Sequence, residues 1–339
     1  MQALTIDFVR GPDDFRLAHP NVQCAESGPN MKPRIASLVG GSLLAFVLFG
    51  AATAGPLEDG EAAFGRGDYA AAMRLLRSPA ASGSAEAQRD IGFMYAEGQG
   101  VQQDFAQALI WFRKGAGQGD ELAQYFLGVM YRDGNGVPQD KSLALVWYRK
   151  SADQGDVLAQ FDIGSMYRYG RGVPKDAAQA AAWYRKAADQ GHALAQSNLG
   201  VLYSQGEGVP KDDAQALIWF RKAADQGETV AQFNLGLAYY NGGDGVPQDS
   251  AQAAVWYRKA ADQGDVGAQI NLGSMYHSGE GVPKDYVLAY MWTDLAASRA
   301  QDDETRELAN KNRDNFVQGM SPEQIAEARR MARQWKPAN

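Results

Sequence analysis

The sequence contains few of the side chains that most often carry catalysis or bind metals. Its 339 residues include one cysteine, Cys24, and three histidines, of which His192 and His277 lie in different parts of the chain. Residues 55–339 hold no cysteine and only these two histidines, so a Cys/His metal site or a cysteine–histidine catalytic pair is not available there. The composition therefore predicts a protein that is not an enzyme and has no cofactor.

A long uncharged stretch is confined to one place near the N-terminus. Residues 35–54 hold no charged side chain, follow the basic start Met31-Lys32-Pro33-Arg34 and end in Ala52-Thr53-Ala54. This pattern predicts a signal peptide over residues 31–54, cleaved after Ala54, and a periplasmic or secreted protein. The alternative is an uncleaved membrane anchor, because the stretch is long enough to span a bilayer. Residues 1–30 are interpreted as a mis-assigned, disordered upstream segment, with translation starting at Met31.

An excess of basic residues is also absent. The net charge of −7 is the same without residues 1–54, which hold four basic and four acidic side chains. An acidic surface repels the phosphate backbone, so nucleic acid is not an expected partner. Cys24 lies in the upstream segment, and the exported chain is therefore expected to be stabilised by packing without disulfides.

The sequence is rich in one internal pattern, which occurs six times with a period of 36 residues and one step of 37. Each copy contains an Ala-Gln pair, a glycine-rich turn, an aspartate and a tryptophan, and the first five copies also have a Gln-Gly pair near their end. The tryptophans are Trp111, Trp147, Trp183, Trp219, Trp256 and Trp292. A fixed period of this length predicts stacked helical units that build their core between neighbours, with a concave surface for binding.

One copy shows how each unit is expected to fold. Residues 156–169 have helical spacing, and Gly164 within them predicts a close approach by another helix, since a mid-helix glycine otherwise costs about 1 kcal/mol. Glycines and Pro174 end this helix, and Asp176 starts a second helix as its N-cap. The tryptophans are interpreted as structural, and the charged Arg185-Lys186 run as a solvated outer surface.

The motifs Ala-Gln-x-x-Leu-Gly-x-x-Tyr, Gly-x-Gly-Val-Pro-x-Asp and Ala-x-x-Trp-Tyr-x-Lys-Ala-Ala-x-Gln-Gly resemble the Sel1-like repeat, a relative of the tetratricopeptide repeat. The resemblance implies an all-α fold, a right-handed α/α solenoid, and protein–protein contacts in the bacterial cell envelope. The expected repeats are 85–120, 121–156, 157–192, 193–228, 229–265 and 266–300. Residues 55–84 are expected to form an N-terminal half-repeat, and residues 301–339 C-terminal capping helices.

The copies differ most along one stripe of the first helix, at positions i, i+4 and i+7. In tetratricopeptide relatives the corresponding face lines the concave groove, so the stripe is predicted to bind a protein or peptide partner. Its apolar members could equally fill gaps between helices. The predicted contact residues are Tyr125, Val129, Arg132, Phe161, Ser165, Arg168, Tyr169, Phe233, Leu237, Tyr240, Ile270 and His277.

The sequence also allows a second class of function, the binding or hydrolysis of cell-wall compounds. Some cysteine-rich relatives are described as penicillin-binding or as weak β-lactam hydrolases, which makes peptidoglycan a further candidate ligand. This chain lacks their repeated cysteines. The leading prediction is therefore an exported, non-enzymatic scaffold, and the alternative is a peptidoglycan-directed binder or a weak β-lactam-type amide hydrolase.

Overall fold

The computed structural model describes residues 55–338, and the predicted upstream segment and signal peptide lie outside the described residues. Within residues 55–338 the structure consists of 16 α-helices and one isolated β-bridge, between Gly243 and Val246. The predicted all-α fold class is confirmed. In this part of the chain we found no helix with the length and apolar composition needed to cross a bilayer.

The described residues form two compact units, residues 55–192 and residues 193–338. The N-terminal unit starts with one helix pair and continues with three pairs that follow the repeats. Its helices are α1 Pro56–Gly65, α2 Tyr69–Ala81, α3 Ala85–Glu97, α4 Phe105–Gly117, α5 Glu121–Asp133, α6 Lys141–Ala152, α7 Val157–Tyr169 and α8 Ala177–Asp189.

The C-terminal unit also has three repeat pairs, followed by two further helices. Its helices are α9 Ala193–Gln205, α10 Asp213–Asp225, α11 Thr229–Asn241, α12 Ser250–Asp262, α13 Val266–Ser278, α14 Tyr286–Arg299, α15 Asp303–Val317 and α16 Pro322–Gln334. We call α3, α5, α7, α9, α11 and α13 the first helices, and α4, α6, α8, α10, α12 and α14 the second helices.

The mid-helix glycine of each first helix lies close to its own second helix, as the sequence predicted. In five repeats it lies against an aromatic ring, and in the last repeat Gly273 lies against Thr293. A Cβ atom added to Gly164 would lie 2.6 Å from the Tyr184 ring, and one added to Gly200 would lie 2.7 Å from the Phe220 ring. Such distances are far below van der Waals contact, so any side chain here would push the pair apart. The glycine thus sets how closely the two helices of a repeat pack.

The glutamine of each Ala-Gln pair links consecutive repeats within a unit. The Nε2 atom of Gln88 donates to the carbonyl oxygen of Ala80, in the last turn of α2, at 2.9 Å. Its Oε1 atom accepts from Nε2 of Gln118, at the end of α4, at 2.7 Å. The last carbonyls of a helix have no partner within that helix. The buried glutamine satisfies one of them and joins the helix ends of two repeats.

The Arg-Lys pair of the second helices also has defined contacts, which refines the interpretation of a merely solvated surface. The arginine donates to a tyrosine hydroxyl of the following first helix, as in Arg113 to Tyr131 and Arg258 to Tyr276. The lysine ammonium lies over the tryptophan ring of its own helix, at 4.2 Å for Lys114 and Trp111. These side chains are exposed, but they help to hold neighbouring helices together.

The step of 37 residues comes from one extra residue near Gly242, which lengthens a turn. Gly243 and Val246 exchange both backbone hydrogen bonds, at 2.9 and 3.0 Å, and Val246 is buried. The flanking helices α11 and α12 both keep 13 residues. The turn therefore absorbs the insertion without altering the helix pair.

The two final helices, α15 and α16, both pack on α14. Phe316 and Ala309 of α15 are fully buried, and Ala297 of α14 and Ile270 of α13 belong to the same apolar cluster as Ala309. Ala328 and Ala332 of α16 are buried in a cluster with Met291 and Leu295 of α14. The last repeat pair is therefore covered on two sides by helices that do not follow the repeat pattern.

Candidate partner-binding site

The predicted stripe lies on the first helices, but most of its members are not at the surface. Phe161, Phe233 and Ile270 have no exposed area, and Arg168 retains 6%. These side chains fill the space between helices, which is the other interpretation that the sequence allowed. The expectation that they line an open groove is corrected for seven residues, namely Val129, Phe161, Ser165, Arg168, Phe233, Leu237 and Ile270.

The aromatic members at the first stripe position pack on the rings that cover the glycines. The centroid of the Phe161 ring lies 5.6 Å from that of Tyr184 and 4.7 Å from that of His192. Tyr125 lies 5.6 Å from Tyr148 in the same way, and Phe233 lies 5.8 Å from Tyr257. These ring pairs are core contacts, and their variation between copies reflects different ways of filling one space.

Arg132 is committed to two carboxylates. Its Nε and Nη2 atoms donate to Asp133 at 2.7 and 2.8 Å, and its Nη1 atom donates to Oδ2 of Asp162 at 3.3 Å. Burial acts to lower the pKa of the guanidinium, but the hydrogen bond to Asp133 and the charge of Asp162 raise it above its usual value. Three of the five N–H donors are thus occupied. Arg132 joins α5 to α7 and is not a vacant site for an acidic ligand.

Tyr125 shares the carboxylate that Arg132 contacts. Its hydroxyl donates to Oδ2 of Asp162 at 3.3 Å. Burial, and secondly the charge of Asp162, raise the pKa of the Tyr125 phenol well above its usual value, so the hydroxyl stays protonated. Asp162 itself is buried, with 5% exposed. Burying this carboxylate is tolerated because a cation and a hydroxyl both point at it.

Two tyrosines of the predicted set remain half-buried beside the turns that follow the first helices. Tyr169 ends α7, and the Arg171 guanidinium lies 4.7 Å from the centre of its ring. Tyr240 is in the last turn of α11, and its hydroxyl donates to Oε2 of Glu280 at 3.1 Å. Burial, then the charge of Glu280 and this hydrogen bond, raise the pKa of Tyr240 to about 12. We call Tyr169 and Tyr240, each in its own unit, the turn tyrosines.

His277 is half-buried as well, but the C-terminal helices cover it. Its ring stacks on Phe316 of α15 with 4.4 Å between centroids, and it meets the edge of Tyr286 at 5.3 Å. The stripe of the last repeat thus packs against α15. A partner would have to displace α15 to reach it.

The structure also shows exposed apolar side chains, two in each unit, that the sequence pattern did not predict. Ile110, Val146, Ile218 and Val255 are 46%, 48%, 46% and 49% exposed. Each immediately precedes the repeat tryptophan on a second helix. We call these four side chains the outer ridge. The available signal was the recurrence of a large aliphatic residue at one position of a helix face that is otherwise charged.

The described residues show little that could serve chemistry on a small molecule. Among residues 55–338 no group of three or more His, Cys, Asp or Glu side chains is placed to hold a metal ion. A cavity lined by Phe93, Phe112 and Phe126 measures about 10 Å³. Its lining is apolar and its volume is about that of a single water site, so it cannot hold a substrate.

The sequence matches the Sel1 repeat over residues 85–120, 122–156, 157–192, 193–228, 229–265 and 266–300. Among curated proteins none matches significantly. Two solved structures are similar. One is c5321, a protective antigen present in uropathogenic Escherichia coli strains, at 34% identity and a TM-score of 0.55, covering 83% of this chain and 68% of that one.

The other is a Sel1 repeat protein from Oxalobacter formigenes, at 32% identity and a TM-score of 0.64, covering 74% of this chain and 98% of that one. Both similarities agree with the helix pairs described above. The chain therefore belongs to the Sel1 repeat family, whose members generally act as protein–protein interaction scaffolds and are generally non-catalytic.

Proposed function

We propose that this protein is an exported, non-enzymatic scaffold of the cell envelope that binds a protein or peptide partner beside the turns after its first helices. One observation carries the proposal. The first helices bury most of their variable residues, whereas Tyr169 and Tyr240, in the last turns of α7 and α11, stay half-buried next to charged groups. These are the variable positions that a partner can reach without separating the helices.

The chemistry of the turn tyrosines suits a protein partner. Tyrosine offers a large apolar ring and a hydroxyl at a low cost in side-chain entropy, and it is enriched in interfaces. Tyr169 is paired with the cation of Arg171, whereas Tyr240 is paired with the carboxylate of Glu280. The two units therefore favour different partner segments, an acidic one at Tyr169 and a basic one at Tyr240.

The proposed export rests on residues 31–54, with their basic start, apolar run and small-residue ending. The similar structure from uropathogenic Escherichia coli is described as a protective antigen. An exported location for this chain is consistent with that description. Growth in the source cells, followed by fractionation and mass spectrometry of the mature N-terminus, tests it. A chain found in the cytoplasm with residues 31–54 intact would contradict export.

Affinity capture from envelope extract tests the scaffold itself. The bait proteins are the full chain, a Tyr169→Ala, Tyr240→Ala variant, and a matched variant of a different face, Ile110→Gln, Val146→Gln. We expect a partner that binds to the full chain and to the Ile110→Gln, Val146→Gln variant. The Tyr169→Ala, Tyr240→Ala variant should lose this partner. Equal retention by all three baits would place the contact elsewhere, and the absence of any specific protein would contradict a scaffold.

A further inference from the structure

The outer ridge is a regular feature of the second helices. Single exposed apolar residues are common on protein surfaces and need no explanation. Here, however, four of the six repeats place a β-branched side chain at the same position, with 46% to 49% of each exposed. A position that only faces water would be free to carry a polar residue, as its neighbours on the same helices do. We therefore expect one physical cause that explains an exposed aliphatic residue in all four repeats.

The ridge positions of the C-terminal unit lie on adjacent helices. The guanidinium of Arg221, on α10, lies 5.1 Å from the centre of the Trp256 ring on α12. Arg258, on α12, lies 5.1 Å from the centre of the Trp292 ring on α14. Each of these tryptophans directly follows a ridge position. Ile218, Val255 and the corresponding residue of α14 therefore form one row across three neighbouring second helices.

The structure shows which kind of element covers this row at its end. The corresponding residue of α14 is Met291, which is only 4% exposed because α16 lies over it. Ala328 and Ala332 of α16 are buried there, and the Trp335 ring after α16 meets the Trp292 ring edge-on at 6.3 Å. An amphipathic helix thus docks on the ridge position within this very chain.

The charges around Met291 explain why α16 takes this place and not another. Where the other second helices have an Arg-Lys pair, α14 has Asp294 and Leu295, and Leu295 is buried. The Nε atom of Arg329, on α16, donates to the Tyr290 hydroxyl at 3.0 Å. Helix α16, which carries Arg329, Arg330 and Arg333, therefore meets a face of α14 on which Asp294 and Leu295 stand in place of the Arg-Lys pair.

The surface beside the ridge residues carries positive charge, whereas α14 has Asp294 beside Met291. Each ridge residue is followed, four positions later, by a lysine whose ammonium lies 3.7 to 4.2 Å from the centre of the tryptophan ring. These flanking lysines are Lys114, Lys150, Lys222 and Lys259. A second copy of α16 would bring arginines to these lysines and be repelled. A helix with carboxylates at those places would be attracted.

We propose that the outer ridge of the C-terminal unit, Ile218 and Val255, binds an acidic amphipathic helix of a partner protein, in the way that α16 covers Met291. The apolar face of that helix would pack on these two residues and the tryptophans, and its carboxylates would lie beside the flanking lysines Lys222 and Lys259. This surface is separate from the turn tyrosines and does not depend on the function proposed for them.

Two labelled peptides test the proposal by fluorescence anisotropy against the full chain. One is the sequence of α16, Pro322–Gln334, and the other is the same peptide with Arg329→Glu, Arg330→Glu and Arg333→Glu. Both are stapled on the polar face, because a free 13-residue peptide is a weak helix. The acidic peptide is expected to bind at least about tenfold more tightly than the native one, with an affinity that falls as salt is added.

Two variants of the full chain locate the binding. The ridge variant, with Ile218 and Val255 changed to Gln, is expected to bind the acidic peptide about tenfold more weakly, since the apolar contact is lost. The lysine variant, with Lys222 and Lys259 changed to Glu, is expected to prefer the native α16 peptide. Glutamine and glutamate favour helices, and circular dichroism checks that both variants stay folded.

A control variant and three further outcomes decide whether the outer ridge is the binding surface. The Tyr169→Ala, Tyr240→Ala variant should bind the acidic peptide like the native chain, which keeps this result independent of the proposed scaffold site. Equal binding by the native chain and the ridge variant, or no binding of either peptide, would overturn the proposal. Tighter binding of the native α16 peptide by the native chain would overturn it too, and would make a second copy of this chain the occupant.

Discussion

First helices and second helices have nearly the same length but different surroundings. In α7, ten of 13 residues are buried, whereas in α8 only Ala180, Ala181, Tyr184, Ala187 and Ala188 are. A first helix is enclosed on nearly all sides, and a second helix keeps one side free. Variation between copies therefore has two meanings. Over most of a first helix it reflects different packing of one interior. In the last turn of a first helix, on a second helix or in a turn it describes a surface.

Helix α14, the second helix of the last repeat, is an exception that supports this distinction between enclosed and free helix sides. In α14, which α15 and α16 both cover, eight of 14 residues are buried, among them Tyr290, Met291 and Leu295. Its sequence differs from the other second helices at the positions that face α16. A second helix thus acquires the character of a first helix where another element covers its free side.

The largest expected effect separates a covered tryptophan from an uncovered one. Trp292→Ala should lower the free energy of unfolding of its unit by about 4 kcal/mol, because Trp292 is 1% exposed and α16 packs on it. Trp183→Ala should cost about 2 kcal/mol, because one side of the half-buried Trp183 is free. Urea unfolding of both variants measures the difference. Equal losses of unfolding free energy in the two variants would contradict the difference between a covered and an uncovered second helix.

The second expected effect is on stability, when a glycine is replaced in a first helix or in a second helix. Gly164→Ala should destabilise by about 3 kcal/mol, because the new Cβ would lie 2.6 Å from the Tyr184 ring. The matched control is Gly117→Ala near the end of α4, where a Cβ meets nothing within 4 Å. That variant should be unchanged or slightly more stable. Thermal unfolding followed by circular dichroism distinguishes the two, and a stable Gly164→Ala variant would contradict the close approach.

The third effect tests the glutamines that join consecutive repeats. Gln88→Ala should cost about 2 kcal/mol, because it removes two hydrogen bonds, one to the Ala80 carbonyl and one from the Gln118 amide. Gln118→Ala, at the exposed end of α4, should cost about 1 kcal/mol, since water can replace one partner. Hydrogen exchange at the end of α2 should increase for Gln88→Ala. No change there would contradict the link.

The smallest effect is a pH dependence at the N-cap of a first helix. Burial raises the pKa of Asp156 above its usual value, although the hydrogen bond from Ser151 acts in the opposite direction. A carboxyl with a raised folded-state pKa stabilises the fold at low pH, and this contribution is lost as the pH rises through the folded-state value. Asp156→Asn should therefore be more stable than the native chain at pH 7, and the gain should disappear near pH 3.

A second variant checks the cause of that pH dependence. Ser151→Ala removes the hydrogen bond that partly offsets burial, so the midpoint of the transition should move to higher pH. Urea midpoints measured from pH 3 to pH 7 provide both results. A transition that does not move would assign the pH dependence to another carboxyl group.

Several features of the repeat could be predicted from the sequence because each depends on neighbouring residues. Gly164, Asp176 and the glycine-rich turns indicate a helix pair with a close approach, an N-cap and helix ends, and the structure has all of these. The period of 36 residues indicates that such pairs recur. The contacts of Gln88, Arg113 and Lys114 were not predicted, because their partners lie in another helix or depend on side-chain direction.

The candidate site was predicted less well. Phe161 and Phe233 were chosen because they vary, but their rings complete the layer beside Tyr184 and Tyr257. Arg132 was chosen as a free donor, yet Asp133 and Asp162 occupy it. Sequence variation does not show whether a position is covered. That depends on the neighbouring repeat.

The sequence by itself determined the helix pairs, their number and the family, because these follow from local propensity, caps, turns and a strict period. The tertiary structure alone decided which sides of the helices remain free. The same position is exposed as Val255 and buried as Met291, since only α14 is covered by α16. Exposure depends on what packs against a helix, and residues far apart in the sequence supply that packing.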